Sequence, residues 1–254
     1  MVNEHDPRAR KVPRVTVLFW VTKVLTTGMG ETTSDFFVKQ FVPELAVAVA
    51  GVVLIVALVL QFRARRYIAP VYWFAVVMVS VFGTMAADVL HVQFGIPYTA
   101  STGFFALLLI GIFIAWDATE KTLSIHSITT RRREAFYWAT VLTTFALGTA
   151  AGDLTATTFG LGYLLSGILF TVVIALPLVG WRFLRLNSIA AFWFAYIVSR
   201  PLGASFADWM AVPATRGGLD LGTGAVSISL TILIAIAVVA QAWTEPRGRT
   251  VPRS

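Results

Sequence analysis

Residues 19–35 read FWVTKVLTTGMGETTSD, and the frame they set, Phe19-Trp20, Gly30 and Asp35, returns three more times at identical internal spacing. The other copies are Tyr72-Trp73/Gly83/Asp88, Tyr137-Trp138/Gly148/Asp153 and Phe192-Trp193/Gly203/Asp208. Four copies of one unit define a repeat architecture. The four tryptophans follow one another at 53, 65 and 55 residues, room for two helical spans per unit. Each unit therefore reads as a membrane hairpin.

Of the 254 residues 57% are hydrophobic and 13% charged, too little polar surface to cover a water-soluble globule. Eight apolar stretches have the length that crosses a hydrocarbon core of about 30 Å at about 1.5 Å per residue. They lie near 15–36, 45–62, 70–90, 100–116, 136–156, 161–180, 189–211 and 222–243. The expected fold is an all-α membrane protein: eight transmembrane helices as four parallel two-helix repeats, in a pseudo-fourfold or nested twofold arrangement. Repeats of about 15–66, 67–134, 135–188 and 189–243 form one domain, flanked by cytoplasmic tails 1–14 and 244–254.

A net charge of +7 could point to nucleic acid, but the basic residues are placed as topology signals instead. Sixteen of twenty Lys and Arg fall in the two tails and in three alternate loops, Arg63–Arg66, Lys121–Arg133 and Arg182 with Arg185. Lys39 and Arg216 lie on the other side, and Lys23 and Arg200 lie inside spans. The positive-inside rule then puts both termini in the cytoplasm. The basic start leads into a span that carries the first motif, so the first helix is expected to be retained rather than cleaved.

An even number of spans per unit gives every unit the same orientation, so the repeats relate by rotation about the membrane normal. From each tryptophan, fifteen residues of helix rise roughly 22 Å, which sets the aspartates in the outer part of the membrane. At four-residue steps the odd helices read Lys23/Thr27/Glu31/Asp35, Val76/Ser80/Thr84/Asp88, Val141/Phe145/Thr149/Asp153 and Tyr196/Arg200/Ala204/Asp208. Residues four apart share a helix face, and charge in lipid is costly unless that face meets protein or water. The polar stripes are thus expected to converge inside the bundle. There Glu31, Asp35, Asp88, Asp153 and Asp208 outnumber Lys23 and Arg200, which favours cations. Clustered carboxylates in a partly dry site can carry protons near neutral pH, and with hydroxyls such as Thr84 and Thr149 they suit hard ions.

Each feature also has a plainer reading. The tryptophans, with Trp116, Trp181 and Trp243, can form an interfacial belt on the cytoplasmic face. The motif glycines, and the pairs Ala50-Gly51, Thr102-Gly103, Ser166-Gly167 and Thr223-Gly224 on even helices, suit helix packing. Lys23 and Arg200 can be counter-ions that lock aspartates, or gates; Arg200-Pro201 is expected to kink its helix. His91 is a candidate metal ligand or merely interfacial. No cysteine is present, and no HExxH, GxSxG or Walker A pattern, so catalysis has little to stand on.

The stretches KVPRVTVLFWVTKVLTTGMGETTSDFF, YWFAVVMVSVFGTMAADVL, YWATVLTTFALGTAAGDL and FWFAYIVSRPLGASFADWM resemble the bacterial membrane-anchored proteins built of four DUF347 repeats. The resemblance spans about Lys11 to Trp243 and implies a bacterial multipass protein. It implies no substrate. The first copy departs through Glu31, the fourth through Ala204 and Arg200.

The function expected from the residues is transport of a small cation across the bacterial cytoplasmic (inner) membrane, proton-coupled and without a cofactor. Asp35, Asp88, Asp153, Asp208, Glu31, Thr84 and Thr149 would form the site or relay. Expected partners are the lipid bilayer, a small cation and protons, with no nucleic acid. The alternative is a non-transporting scaffold whose loop around Arg131–Arg133 recruits a partner or anionic lipid.

Overall fold

Residues 10–183 and 185–244 are described in the computed structural model. Arg8, Arg247, Arg249 and Arg253, read above as tail charges, lie outside them. The described chain forms eight long helices: α1 (Val17–Gln40), α2 (Pro43–Arg63), α3 (Ala69–Val92), α4 (Tyr98–Glu120), α5 (Arg131–Asp153), α6 (Gly162–Phe183), α7 (Ser188–Ala211) and α8 (Thr223–Thr244). Their starts follow from local chemistry. Thr16, Thr130 and Asn187 accept from first-turn amides of α1, α5 and α7, while Pro43 and Pro70 stand in the first turns of α2 and α3, where an amide has no helical partner. A single π turn, Leu154–Thr158, follows Asp153 at the end of α5.

Among the described residues six helices, α2, α3, α4, α6, α7 and α8, are long and apolar enough to cross a membrane. That fits a multipass membrane protein. The more polar α1 carries Lys23, Glu31, Asp35 and Lys39, and α5 carries Arg131–Arg133, Glu134, Asp153 and several threonines.

The helices sort into two layers. α1 packs on α3, α3 on α5, α5 on α7, and α7 back on α1, which makes an inner ring of the odd helices. The even helices lie outside, each against the odd helix of the following unit: α2 on α3, α4 on α5, α6 on α7, and α8 closing on α1. Under a third of the apolar stretch of each outer helix is buried, against more than half of that of α3 and α7. Apolar residues of the outer layer, such as Ile55, Leu107, Val172 and Ile236, face outward.

The motif glycines explain how the ring closes. Gly30 of α1 lies against Ser80 of α3, Gly83 against Phe145 of α5, Gly148 against Arg200 of α7, and Gly203 against Thr27 of α1. In every case the residue received stands seven positions after the tryptophan of the next unit. Small residues let backbones approach, and here the notch also seats a stripe residue. On the even helices Gly51, Gly167 and Gly224 face the rings of Phe82, Phe206 and Phe36, so those small positions accommodate a ring rather than a backbone; Gly103 has no such neighbour. Pro201 lies within a continuous α7, packed near Gly148 and Gly152.

The tryptophans correct the reading of an interfacial belt. Trp73, Trp116, Trp138 and Trp193 are buried, packed with Phe19, Tyr72, Tyr137 and Tyr196 into an aromatic core at one end of the bundle. Trp20 is half-buried, and Trp181 and Trp243 remain on the surface. An indole buries a large area, and its N–H usually finds a partner. Trp73 donates to Gln241 Oε1 (2.9 Å) and Trp193 to the Leu123 carbonyl (2.8 Å).

Candidate functional site

The four-residue stripes of the inner helices stack as layers about the axis of the ring. The first layer is Lys23, Val76, Val141 and Tyr196, the second Thr27, Ser80, Phe145 and Arg200, the third Glu31, Thr84, Thr149 and Ala204; all twelve side chains are buried. The fourth layer, Asp35, Asp88, Asp153 and Asp208, is half-buried. Polarity thus runs inward on every odd helix and meets accessible surface at the aspartates.

Arg200 holds the middle of this stack. Its Nη2 donates to Glu31 Oε2 at 2.6 Å, to Thr149 Oγ1 at 2.7 Å and to Thr84 Oγ1, while Nη1 donates to the Thr27 carbonyl at 3.3 Å. One side chain from α7 therefore reaches all three other inner helices. The methyl of Ala204 leaves room on α7 itself, so the two departures of the fourth unit, together with Glu31 of the first, make one device. Each charge is wrapped in protein, and the pairing supplies the compensation that burial demands.

The aspartates differ in their partners. Asp35 pairs with Lys39 one turn on, at 2.5 Å. Asp88, Asp153 and Asp208 have no ion-pair partner among the described residues. The Tyr98 hydroxyl lies against Asp153, and Tyr163, near Asp208, accepts from Arg216 at 2.5 Å. Asp88 lies within electrostatic reach of Glu31, Asp35 and Asp153, and Asp208 of the same three. The five acids share one field.

Two readings of the basic residues need correction. Arg200 locks Glu31 and not an aspartate. Lys23 pairs with no carboxylate among the described residues; its Nζ has no hydrogen-bond partner there and lies over the rings of Phe145 (4.2 Å) and Tyr196 (4.3 Å). The second layer of α5 and the first of α7 thus supply aromatic faces where a counter-ion was expected. His91 donates from Nδ1 to the Ile96 carbonyl (2.8 Å) and stacks on Tyr98. Among the described residues no three His, Asp or Glu side chains stand close enough to hold one metal ion.

Other groups at the aromatic end were not singled out by the sequence. Lys11 pairs with the wholly buried Glu134, which also accepts from Gln61 Nε2 at 2.9 Å. The segment leading into α1 is bound to two other parts of the chain, Tyr67 N–H to the Arg10 carbonyl (2.8 Å) and Lys11 N–H to the Ile128 carbonyl (3.1 Å). The Tyr72 and Tyr137 hydroxyls bond to each other, and Gln241 of α8 donates to Thr22 at 2.8 Å. The one sequence signal for these was a glutamine near the end of each of two strongly apolar helices.

Fold and site together define a helical bundle of membrane-length apolar helices around a polar, acid-rich axis. The Repeat of Unknown Function family (DUF347) matches at residues 18–67, 71–122, 136–187 and 191–247, and the chain belongs to that family as four tandem repeats. No curated protein and no solved structure matches the chain.

Proposed function

We propose that the protein carries a small cation across a membrane in exchange for, or together with, protons. In this reading all eight helices span, with α1 and α5 tolerated in the bilayer because the other helices wrap their polar faces. The four units are related by a pseudo-fourfold axis along the membrane normal. Both termini face the cytoplasm, across a bacterial inner membrane.

The single observation that carries the proposal is the stack on that axis: four half-buried aspartates over a buried Arg200–Glu31 pair. The unpaired carboxylates of Asp88, Asp153 and Asp208 attract a cation and hold protons in its absence. Arg200 is the stopper beneath them. An incoming cation that competes for Glu31 releases the guanidinium, and the aromatic layer with Lys23 closes the far side. Because no three acids form a metal cage among the described residues, a partly hydrated ion suits the ring better than a stripped divalent one.

A scaffold is favoured by a different observation. The bonds of Arg200 to three neighbouring helices are sufficient reason for its presence as a tie. Flux into proteoliposomes, measured for a panel of monovalent and divalent ions with and without a pH gradient, separates the two. Transport predicts flux that is lost in Asp88→Asn and Asp153→Asn; no flux for any ion in the unaltered protein favours the scaffold.

A further inference from the structure

A surface groove of about 440 Å³ runs beside the aromatic end of the bundle, between α2 and the start of α5. Its wall is Ile55, Leu58, Val59 and Phe62, and it is flanked by Arg63 and Arg131. Both arginines are exposed and have no ion-pair partner among the described residues. The charges that follow Arg131 on α5 are already paired. Arg132 and Arg133 both pair with Glu120, and Glu134 is buried against Lys11. Of the Arg131–Arg133 run, Arg131 is thus the member left facing the groove.

We propose that this groove binds one anionic phospholipid, its phosphate between Arg63 and Arg131 and an acyl chain along α2. Three features fit that occupant. Ile55 to Arg63 spans roughly 12 Å of helix, close to the half-thickness of a hydrocarbon core of about 30 Å, so the arginines sit at headgroup level when the apolar wall is in the leaflet. The first turn of α5 opens at Arg131 behind its Thr130 cap, adding the positive end of a long helix to the two guanidinium groups. Two arginines match a phosphate in geometry as well as charge.

A second groove, between α4 and α7, supplies an internal contrast. It is lined by Phe113, Lys121, Ile189 and Trp193 and includes Asp117, whose carboxylate opposes an anion. The proposal rests on the membrane reading and is independent of transport.

The test uses the whole chain in detergent, with thermal unfolding followed as phosphatidylglycerol or phosphatidylcholine is titrated in. The expected result is saturable stabilisation by phosphatidylglycerol alone. In Arg63→Gln/Arg131→Gln the lipid fraction for half-effect rises about tenfold, and in Arg132→Gln it does not move. Equal stabilisation by both lipids overturns the proposal, as does unchanged selectivity in the double variant, or an equal effect from water-soluble glycerophosphoglycerol. Should the double variant fail to fold, phosphatidylglycerol with a photoreactive acyl chain is used on the unaltered protein. Crosslinks in 55–63 support the site; crosslinks confined to α4 or spread over the outer helices overturn it.

Discussion

Arg200 of α7 lies in the notch that Gly148 leaves on α5: a side-chain carbon at position 148 would collide with Arg200 Cβ and Cγ and come within 3.0 Å of Pro201 Cδ. The bare backbone of one unit thus lets the charged side chain of the next reach the axis. The same relation at Gly30, Gly83 and Gly203 admits Ser80, Phe145 and Thr27. It ties the repeat pattern to the polar centre.

Gly148→Ala and Gly203→Ala therefore damage the ring at its seams. At position 203 the added carbon meets the Val24 carbonyl at 2.7 Å, backbone that cannot swing aside. Overpacking of this kind costs about 1–3 kcal/mol, and Gly148→Ala carries the further loss of a displaced Arg200. Thermal unfolding in detergent checks both, with Gly103→Ala, which has no neighbour within 4 Å, expected to sit near the unaltered protein.

Removing one member of the axial ion pair strands the other. Arg200→Gln or Glu31→Gln alone should lower stability by about 3–5 kcal/mol, the cost of leaving a buried charge unpaired, whereas the double replacement should recover part of it. A double-mutant cycle in unfolding free energy gives the coupling directly; additive single effects would contradict the pairing.

Lys23 behaves in the opposite way. Its Nζ has no hydrogen-bond partner among the described residues, so replacement by methionine removes an amine and keeps the stem. Burial of an unsatisfied polar group costs more than the two ring contacts return, and Lys23→Met should raise the unfolding temperature. The same variant measured for flux against pH separates a gating role from a structural one.

Glu134 is predicted to matter although it lies far from the acidic layer. It accepts from Lys11 and Gln61 while wholly buried, and it fastens the segment before α1 to α2 and α5. Glu134→Ala leaves Lys11 buried without its carboxylate and should destabilise by several kcal/mol, with Lys11→Met/Glu134→Leu closer to the unaltered protein. Limited proteolysis near Arg10 and Arg14 reads the release of the segment.

Much of this was legible because periodicity survives translation into structure. The eight apolar stretches became eight helices, and the four-residue stripes became three buried layers and a half-buried one of aspartates, since a helix face that is polar on one side has few places to put it. What the sequence hid were choices between faces and partners. A tryptophan near a span end looks the same whether it meets headgroups or another ring, so Trp73, Trp116, Trp138 and Trp193 read as a belt and proved to be core. Arg200 and Glu31 stand 169 residues apart, and no spacing rule links them. Lys11 read as a topology charge because it lies in a basic run; its burial depends on Glu134, more than a hundred residues on.

On the proposed function the four aspartates share one hydrated mouth above a sealed axis. The chain has no cysteine, so single replacements can be read without background. In cells or oriented vesicles, Asp88→Cys, Asp153→Cys and Asp208→Cys should react with a membrane-impermeant cationic thiol reagent applied from the side opposite the termini, while Lys23→Cys stays unlabelled. Labelling of Lys23→Cys from that side, or no labelling at the three aspartate positions, would contradict the account.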